Sequence, residues 1–269
     1  RNFAAARQAA VEQAAPGAGL AALLDKPNNN LAVEYCKAIL ELGAPLEPVP
    51  LPRQGANHGD ARTAGHYASA SALRALWRQE GPDALAPYVP AGALPRYQAA
   101  RAAGDDTDPQ AVSLAVLSRL RARADMGGFA GVRGAAEGLE HRLDSCVRQA
   151  VTLEGLCDAL TTVRYPRARM RRLAMDAALG YGSPGAGPGW LTLPALPPYL
   201  HLLAARREAM PLLAAASLPV SPSLARLARE NDACARTARA QTAASDLAAL
   251  CRRTPQPMGT AYTVPFTKL

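Results

Sequence analysis

The chain has 269 residues, 49% hydrophobic and 19% charged, a globular balance that excludes a disordered tail and suffices for one large domain or two small ones. Its net charge is +8, and because only Lys26, Lys37 and Lys268 are lysines, 27 of the 30 basic residues are arginine; the planar guanidinium grips phosphate through paired hydrogen bonds, which favours an anionic partner, although an arginine- and alanine-rich composition also follows from a GC-rich genome. Cys36, Cys146, Cys157, Cys234 and Cys251 are odd in number and form no C-x-x-C pair, against a disulfide framework or zinc site, and no stretch approaches the roughly 20 apolar residues of a membrane span, so a cytoplasmic location is expected.

The sequence starts at Arg1, runs at once into an alanine-rich helical pattern and reads as a piece of a longer protein. Residues 31–42 are apolar except for Glu34, Lys37 and Glu41, which fall on one narrow stripe; the pattern predicts a helix buried on most sides, capped by Asn28, Asn29 or Asn30 and ended by Gly43. Residues 45–52 hold too many prolines for a central strand and read as extended. A second helix is expected over residues 69–80, so that this part resembles the close of an α/β sheet domain. Gly81-Pro82-Asp83 breaks it, and residues 84–95 read as a connector.

Beyond lies a helical region. Val112, Val116, Leu117 and Leu120 recur at helical spacing, as do Leu139, Leu143, Cys146, Val147 and Ala150. A third helix is expected to start at Pro166 and run to Gly180 with Met170, Leu173, Ala174 and Ala177 inward. Residues 182–189 have the composition of a flexible loop or linker. Residues 199–216 and 223–250 alternate apolar and charged residues at helical spacing, and residues 262–269 are β-prone. The boundaries drawn are residues 1–82, 83–186 and 187–269.

Three stretches can serve a nucleotide. The amides of Asn28 and Asn29 both donate and accept, Arg53 follows an extended run and precedes a loop, and Ser69 and Ser71 open a helix whose positive end attracts anions, with Arg74 one turn beyond Ser71. Each has a plainer reading as a cap, a surface arginine or a capping serine. Arg164, Arg167, Arg169, Arg171 and Arg172 crowd one helix start beside Tyr165, where like charges repel unless an anion such as RNA phosphate sits among them; a solvated basic face is the alternative. His58, His66, His141 and His201 show no metal-ligand or dyad spacing, and no G-x-x-x-x-G-K-[ST], G-x-S-x-G or H-E-x-x-H motif occurs. No catalytic residue is assigned.

Pro27-Asn28-Asn29-Asn30-Leu31-Ala32-Val33-Glu34-Tyr35, Ala68-Ser69-Ala70-Ser71-Ala72-Leu73-Arg74, Glu137-Gly138-Leu139-Glu140-His141-Arg142-Leu143 and Arg164-Tyr165-Pro166-Arg167-Ala168-Arg169-Met170-Arg171-Arg172, in that order, resemble the tRNA(Met) cytidine acetate ligase family. That family looks like P-N-N-x-L-x-x-E-Y, A-S-A-T-x-I-R, E-E-G-L-E-x-R and K-R-Y-T-x-x-R-x-x-R. The resemblance implies an α/β plus α fold: the C-terminal end of a Rossmann-like nucleotidyltransferase domain, a mainly helical tRNA-binding domain and a small, mostly helical C-terminal domain.

It implies ATP, with Mg2+, as cosubstrate, acetate activated as acetyl-adenylate, and acetyl transfer to N4 of the wobble cytidine of elongator tRNA(Met). Asn28, Asn29, Arg53, Ser69, Ser71 and Arg74 would contact ATP; Arg164, Tyr165, Arg167, Arg169, Arg171 and Arg172 would contact tRNA. The family's H-x-G-H motif does not occur here, so this stretch is not expected to catalyse adenylate formation by itself. The alternatives are a non-catalytic RNA-binding or scaffold protein on the same fold, or a nucleotidyltransferase acting on a small molecule.

Overall fold

The structure is a computed structural model that describes residues 3–52, 67–135 and 138–268. Two compact units divide it, Arg1–Ala102 and Ala103–Leu269. Residues 83–102 pack with the first, and residues 187–269 share the second with the helices before them.

The first unit contains α1 (Phe3–Ala14), α2 (Leu20–Leu23), α3 (Pro27–Glu41), α4 (Ala70–Gln79) and α5 (Leu94–Ala103). Helices α1 and α2 pack together, and Arg7 of α1 pairs with Glu34 of α3 at 2.6 Å. Gly43, at φ +57, follows the last turn of α3 in the left-handed conformation that a side chain disfavours. The expected burial of α3 is not found: Leu31, Tyr35 and Leu40 are exposed. A helix apolar on most faces is buried only where other elements cover it, and the described residues of this unit put no extended helix packing on α3. Helix α4 packs on a 3-10 turn at Pro82–Leu85, and Trp77 meets Tyr97 edge to face, ring centres 5.9 Å apart. The residues read as a connector end in the first turn of α5, whose proline at the second position is compatible with a helix start.

The second unit is built on α6 (Pro109–Asp125), α7 (Leu139–Gln149), α8 (Leu153–Leu160) and α9 (Arg167–Leu179). Val116, Leu120, Leu143, Val147, Leu156, Leu160 and Met170 are fully enclosed among them. Asp108 caps α6 by accepting from the Gln110 N–H at 2.8 Å, and Gly180 ends α9 at φ +75. Helix α8 was not expected. Thr152 caps it through the Gly155 N–H at 3.0 Å, and it follows α7 after a short break.

After α9 come β1 (Tyr181–Gly182) and β2 (Leu191–Thr192), paired in parallel. The glycine-rich residues between them form an ordered turn. A side chain on Gly182 would stand 2.6 Å from Trp190 Cβ and 2.8 Å from Ala186 Cβ, so the close approach depends on the absence of one. Residues 199–216 are not a single helix; they hold β3 (Leu200–His201), β4 (Ala204–Ala205), a 3-10 turn at Arg207–Ala209 and α10 (Met210–Ala214). Strand β3 pairs in parallel with β5 (Val220–Ser221), and β4 with β6 (Thr267–Lys268). The pairing of residues far apart in sequence overrides a helical pattern that helical propensity alone could not enforce. Helices α11 (Leu224–Leu227) and α12 (Asp232–Leu250) follow, separated where Asn231 caps α12 through the Cys234 N–H at 2.9 Å.

Helix α12 closes the unit. Leu247 and Cys251 join the core of α6–α9. The residues after α12 run back along those before α6: the Asp108 N–H donates to Cys251 O at 2.8 Å, the Arg253 N–H to Asp106 O at 2.9 Å and the Thr254 N–H to Gly104 O at 3.0 Å. Arg252–Asp105 and Arg253–Asp106 ion pairs flank this seam at 2.8 and 2.9 Å. Tyr181 donates its hydroxyl to Ala240 O at 3.0 Å inside the protein.

Leu156→Ala should destabilise the second unit by about 2–5 kcal/mol in urea unfolding, the range for a leucine cut from a closed core. Burial raises the Tyr181 phenol above its ordinary range. The unfolded chain therefore releases that proton first, and the stabilisation is intact below the unfolded phenol's pKa and lost as pH rises above it. Tyr181→Phe should cost about 0.5–1.5 kcal/mol at neutral pH and lose less on alkalinisation than the parent, measured by chemical unfolding from pH 8 to 11. Cys36 is exposed, whereas Cys157 is enclosed with its thiol pushed up by burial. Iodoacetamide at pH 8 should therefore label Cys36 in the native protein and Cys157 only after unfolding, as mass spectrometry of peptides would show.

Candidate functional site

Asn28 and Asn29 occupy the first turn of α3 behind Pro27, which suits that position because it has no N–H to satisfy. Their backbone N–H groups stand at the positive end of the helix. The expected asparagine cap is not made: Lys26 is the capping residue, and no side chain caps the turn. Asn30 instead reaches backward, donating its amide to Leu24 O at 2.7 Å and Lys26 O at 3.2 Å. It ties the preceding loop to the helix, while Asn28 is exposed and Asn29 half-buried.

Ser69 caps α4. It is buried, and its hydroxyl oxygen accepts from the Ala72 N–H at 3.1 Å, so it positions the helix start and leaves Ser71 and Arg74 exposed beyond it. Arg53 lies outside the described residues. Among the described residues no extended packing joins α3 to α4.

The arginines of α9 are brought together, and a feature invisible in the linear motif accompanies them. Glu154 and Asp158, one turn apart on α8, both engage the Arg167 guanidinium. Two carboxylates thus neutralise the innermost arginine, with a modest energetic return because all three side chains keep solvent contact. The acidic spacing Glu154-x-x-x-Asp158 was the signal available for this, but it needed α8 to be recognised as a helix. Tyr165, half-buried against the core, has the guanidinium carbons of Arg164 and Arg169 at 5.6 and 4.9 Å from its ring centre. Arg171 and Arg172 are exposed on the next turn. The inner face of α9 carries Met170, Leu173, Ala174 and Ala177, all buried as the spacing requires.

A polar pocket of about 330 Å³ lies beside α7, where Glu140, His141, Asp144 and Arg148 meet the Gly127–Phe129 turn. Arg148 holds the Asp144 carboxyl below its usual range through hydrogen bonds at 2.9 and 3.2 Å. His141 is 89% exposed and stands 3.8 Å from Glu140. These groups satisfy one another at the surface. Among the described residues no group of three or more His, Cys, Asp or Glu side chains could hold a metal ion. The described chain therefore offers no cage for the implied Mg2+, which accompanies nucleotides mainly through their phosphates. Among the described residues no helix is long and apolar enough to cross a membrane.

The family HIGH Nucleotidyl Transferase matches residues 1–260. A tRNA(Met) cytidine acetate ligase from Latilactobacillus sakei subsp. sakei (strain 23K) is 33% identical over 159 residues, 58% of this chain and 39% of that protein. The protein of the same name from Thermotoga petrophila is 28% identical over 155 residues, covering 56% and 36%. The chain spans less than half the length of these relatives. The structure of Thermotoga maritima TmcAL in its apo form I has a TM-score of 0.82 at 20% identity and covers all of this chain and 68% of that one. Form II, bound with alpha-thio ATP, scores 0.80 at 20% identity over 67% of its chain. At that identity the likeness establishes the fold, and it is the mixed α/β and helical class expected from the sequence. With a match running across residues 1–260, the chain belongs to the HIGH nucleotidyl transferase family, and its relatives include tRNA(Met) cytidine acetate ligases.

Proposed function

We propose that this chain is part of a cytoplasmic, ATP-dependent RNA-modifying ligase that acetylates N4 of the wobble cytidine of elongator tRNA(Met). The observation that carries the reading is the family match across residues 1–260, within which four motifs keep the order of the tRNA(Met) cytidine acetate ligases. A solved relative of the same fold binds an ATP analogue. In this reading residues 1–82 serve the nucleotide, residues 83–186 serve tRNA and residues 187–269 form a small terminal part.

The chemistry is two displacements. An acetate oxygen attacks the α-phosphorus of ATP and pyrophosphate leaves; the cytidine N4 then attacks the acetyl carbonyl, AMP leaves, and the amine loses a proton. Asn28 and Asn29 would meet the nucleotide through side-chain amides and the first N–H groups of α3, Arg53 would supply a charged fork, and Ser71 and Arg74 would face the phosphates from the α4 start that Ser69 sets. Arg164, Arg169, Arg171 and Arg172 would hold the tRNA backbone, with Tyr165 supporting two of them and Arg167 committed in part to α8. Mg2+ would travel with the ATP phosphates.

Titration of the intact protein with a non-hydrolysable ATP analogue should show Asn28→Ala and Arg53→Ala each losing about 1–3 kcal/mol of binding, as buried or charge-assisted hydrogen bonds do; unchanged affinity in both would remove these contacts from the site. Ser69→Ala should cost about 1 kcal/mol of stability through loss of the cap, with Ser69→Asp retaining most of it, measured by thermal unfolding. Ser69→Ala with parental stability would show that the cap is not what the serine supplies.

A further inference from the structure

A second basic feature lies at the other end of α9. Arg119 and Arg123, one turn apart on α6, line a groove of about 430 Å³ that Ala122, Met126, Ala178 and Gly189 complete. The Arg123 guanidinium carbon lies over the Trp190 indole, 3.9 Å from the ring centre, and the group donates to Gly189 O at 3.1 Å. The ring contact and the hydrogen bond together hold the guanidinium in the groove. Partial burial holds the Arg123 pKa below its ordinary value, which means its charge has lost water without an equal compensation. Arg121 turns elsewhere and donates to Ala150 O at 2.8 Å.

Several other arginines of the second unit meet carboxylates. Arg133 pairs with Asp176, Arg148 with Asp144, Arg167 with Glu154 and Asp158, Arg252 with Asp105 and Arg253 with Asp106. Among the described residues no carboxylate lies within ion-pair distance of Arg119 or Arg123. A groove lined by two guanidinium groups, with no carboxylate at ion-pair distance among the described residues, is complementary to an anion.

Spacing decides which anion. Ala178 in the groove and Arg167 at the opposite end of α9 are eleven residues apart on one helix, roughly 17 Å at the helical rise per residue. A lone phosphate reaches one of these places; a polyanion with phosphates repeated along a rigid backbone reaches both. We propose that the Arg119–Arg123 groove is a second phosphate-binding contact for tRNA, acting with the arginines at the α9 start so that one RNA is held at two points along that helix. This deepens the reading above and rests on it.

The test is binding of labelled tRNA(Met) to the intact protein between 50 and 200 mM salt, with thermal melting of every variant alongside. Arg119→Gln should weaken binding on the order of five-fold and lower the slope of log K against log salt by about 0.7–0.9, the share of one phosphate contact. Ala122→Glu, which sets a carboxylate in the groove at an exposed helical position, should weaken binding at least as much. Each effect should compound with that of the Arg171→Gln/Arg172→Gln double variant, while affinity for the ATP analogue stays at the parental value.

Parental tRNA affinity and salt slope in both groove variants, with the α9 double variant weakened, would overturn the groove and leave the tRNA reading standing. Loss of polyglutamate binding in the groove variants with tRNA binding intact would overturn it in favour of an acidic protein partner. Absence of salt-dependent tRNA binding in the parent would overturn both readings. If Ala122→Glu lowers the melting temperature, Arg119→Gln alone decides.

Discussion

The burial of one face of α9 is the constraint on which the second unit depends. Met170, Leu173, Ala174 and Ala177 press that face into the core, and two of the four are alanines, so the neighbouring helices approach closely. With the inner face committed, the remaining positions must face water, and the chain fills them with arginine. The outward row of charge is thus a consequence of the packing: it can be neither rotated inward nor displaced along the helix without opening the core. Pro166 and Gly180 set the two ends, so the distance between what each end presents is fixed as well.

The same logic explains how a unit so rich in arginine stays folded. Several guanidinium groups are paired with carboxylates, and Asp176 on α9 itself holds Arg133 through two hydrogen bonds at 2.9 and 2.7 Å. Exposed pairs of this kind contribute little stability each, yet they remove like-charge repulsion that would otherwise oppose close packing. Where pairing is withheld, the positive charge is available for an outside partner. The seam between residues 104–108 and 251–254 locks the arrangement by joining the entrance of α6 to the exit of α12, which no neighbouring contact in sequence could do.

The two units differ in how much of their chemistry is complete. Helices α6–α9 enclose a continuous core and bring their arginines, tyrosine and acidic partners into one neighbourhood. In the first unit the starts of α3 and α4 have polar groups and helix ends, and α3 presents leucines and a tyrosine to solvent. Its amides and serines are arranged by local rules, a proline-led first turn in one case and a serine cap in the other.

Much of this was legible in the residues themselves. The spacing of Val116 and Leu120, of Leu143 and Val147, and of Met170 through Ala177 located three core helices and their inward faces, because a 3.6-residue period is a local property; Gly43 and Gly180 marked helix ends for the same reason. The ordered motifs pointed to the family. What the residues alone could not decide was everything set by partners distant in the chain. Whether α3 is covered, that residues 199–216 form strands and turns, that α8 supplies Glu154 and Asp158 to Arg167, and that Trp190 crosses the glycine-rich turn to lie on Arg123 all depend on contacts between separated segments. Periodicity states which face of an element is apolar, and only the packed chain determines what meets it.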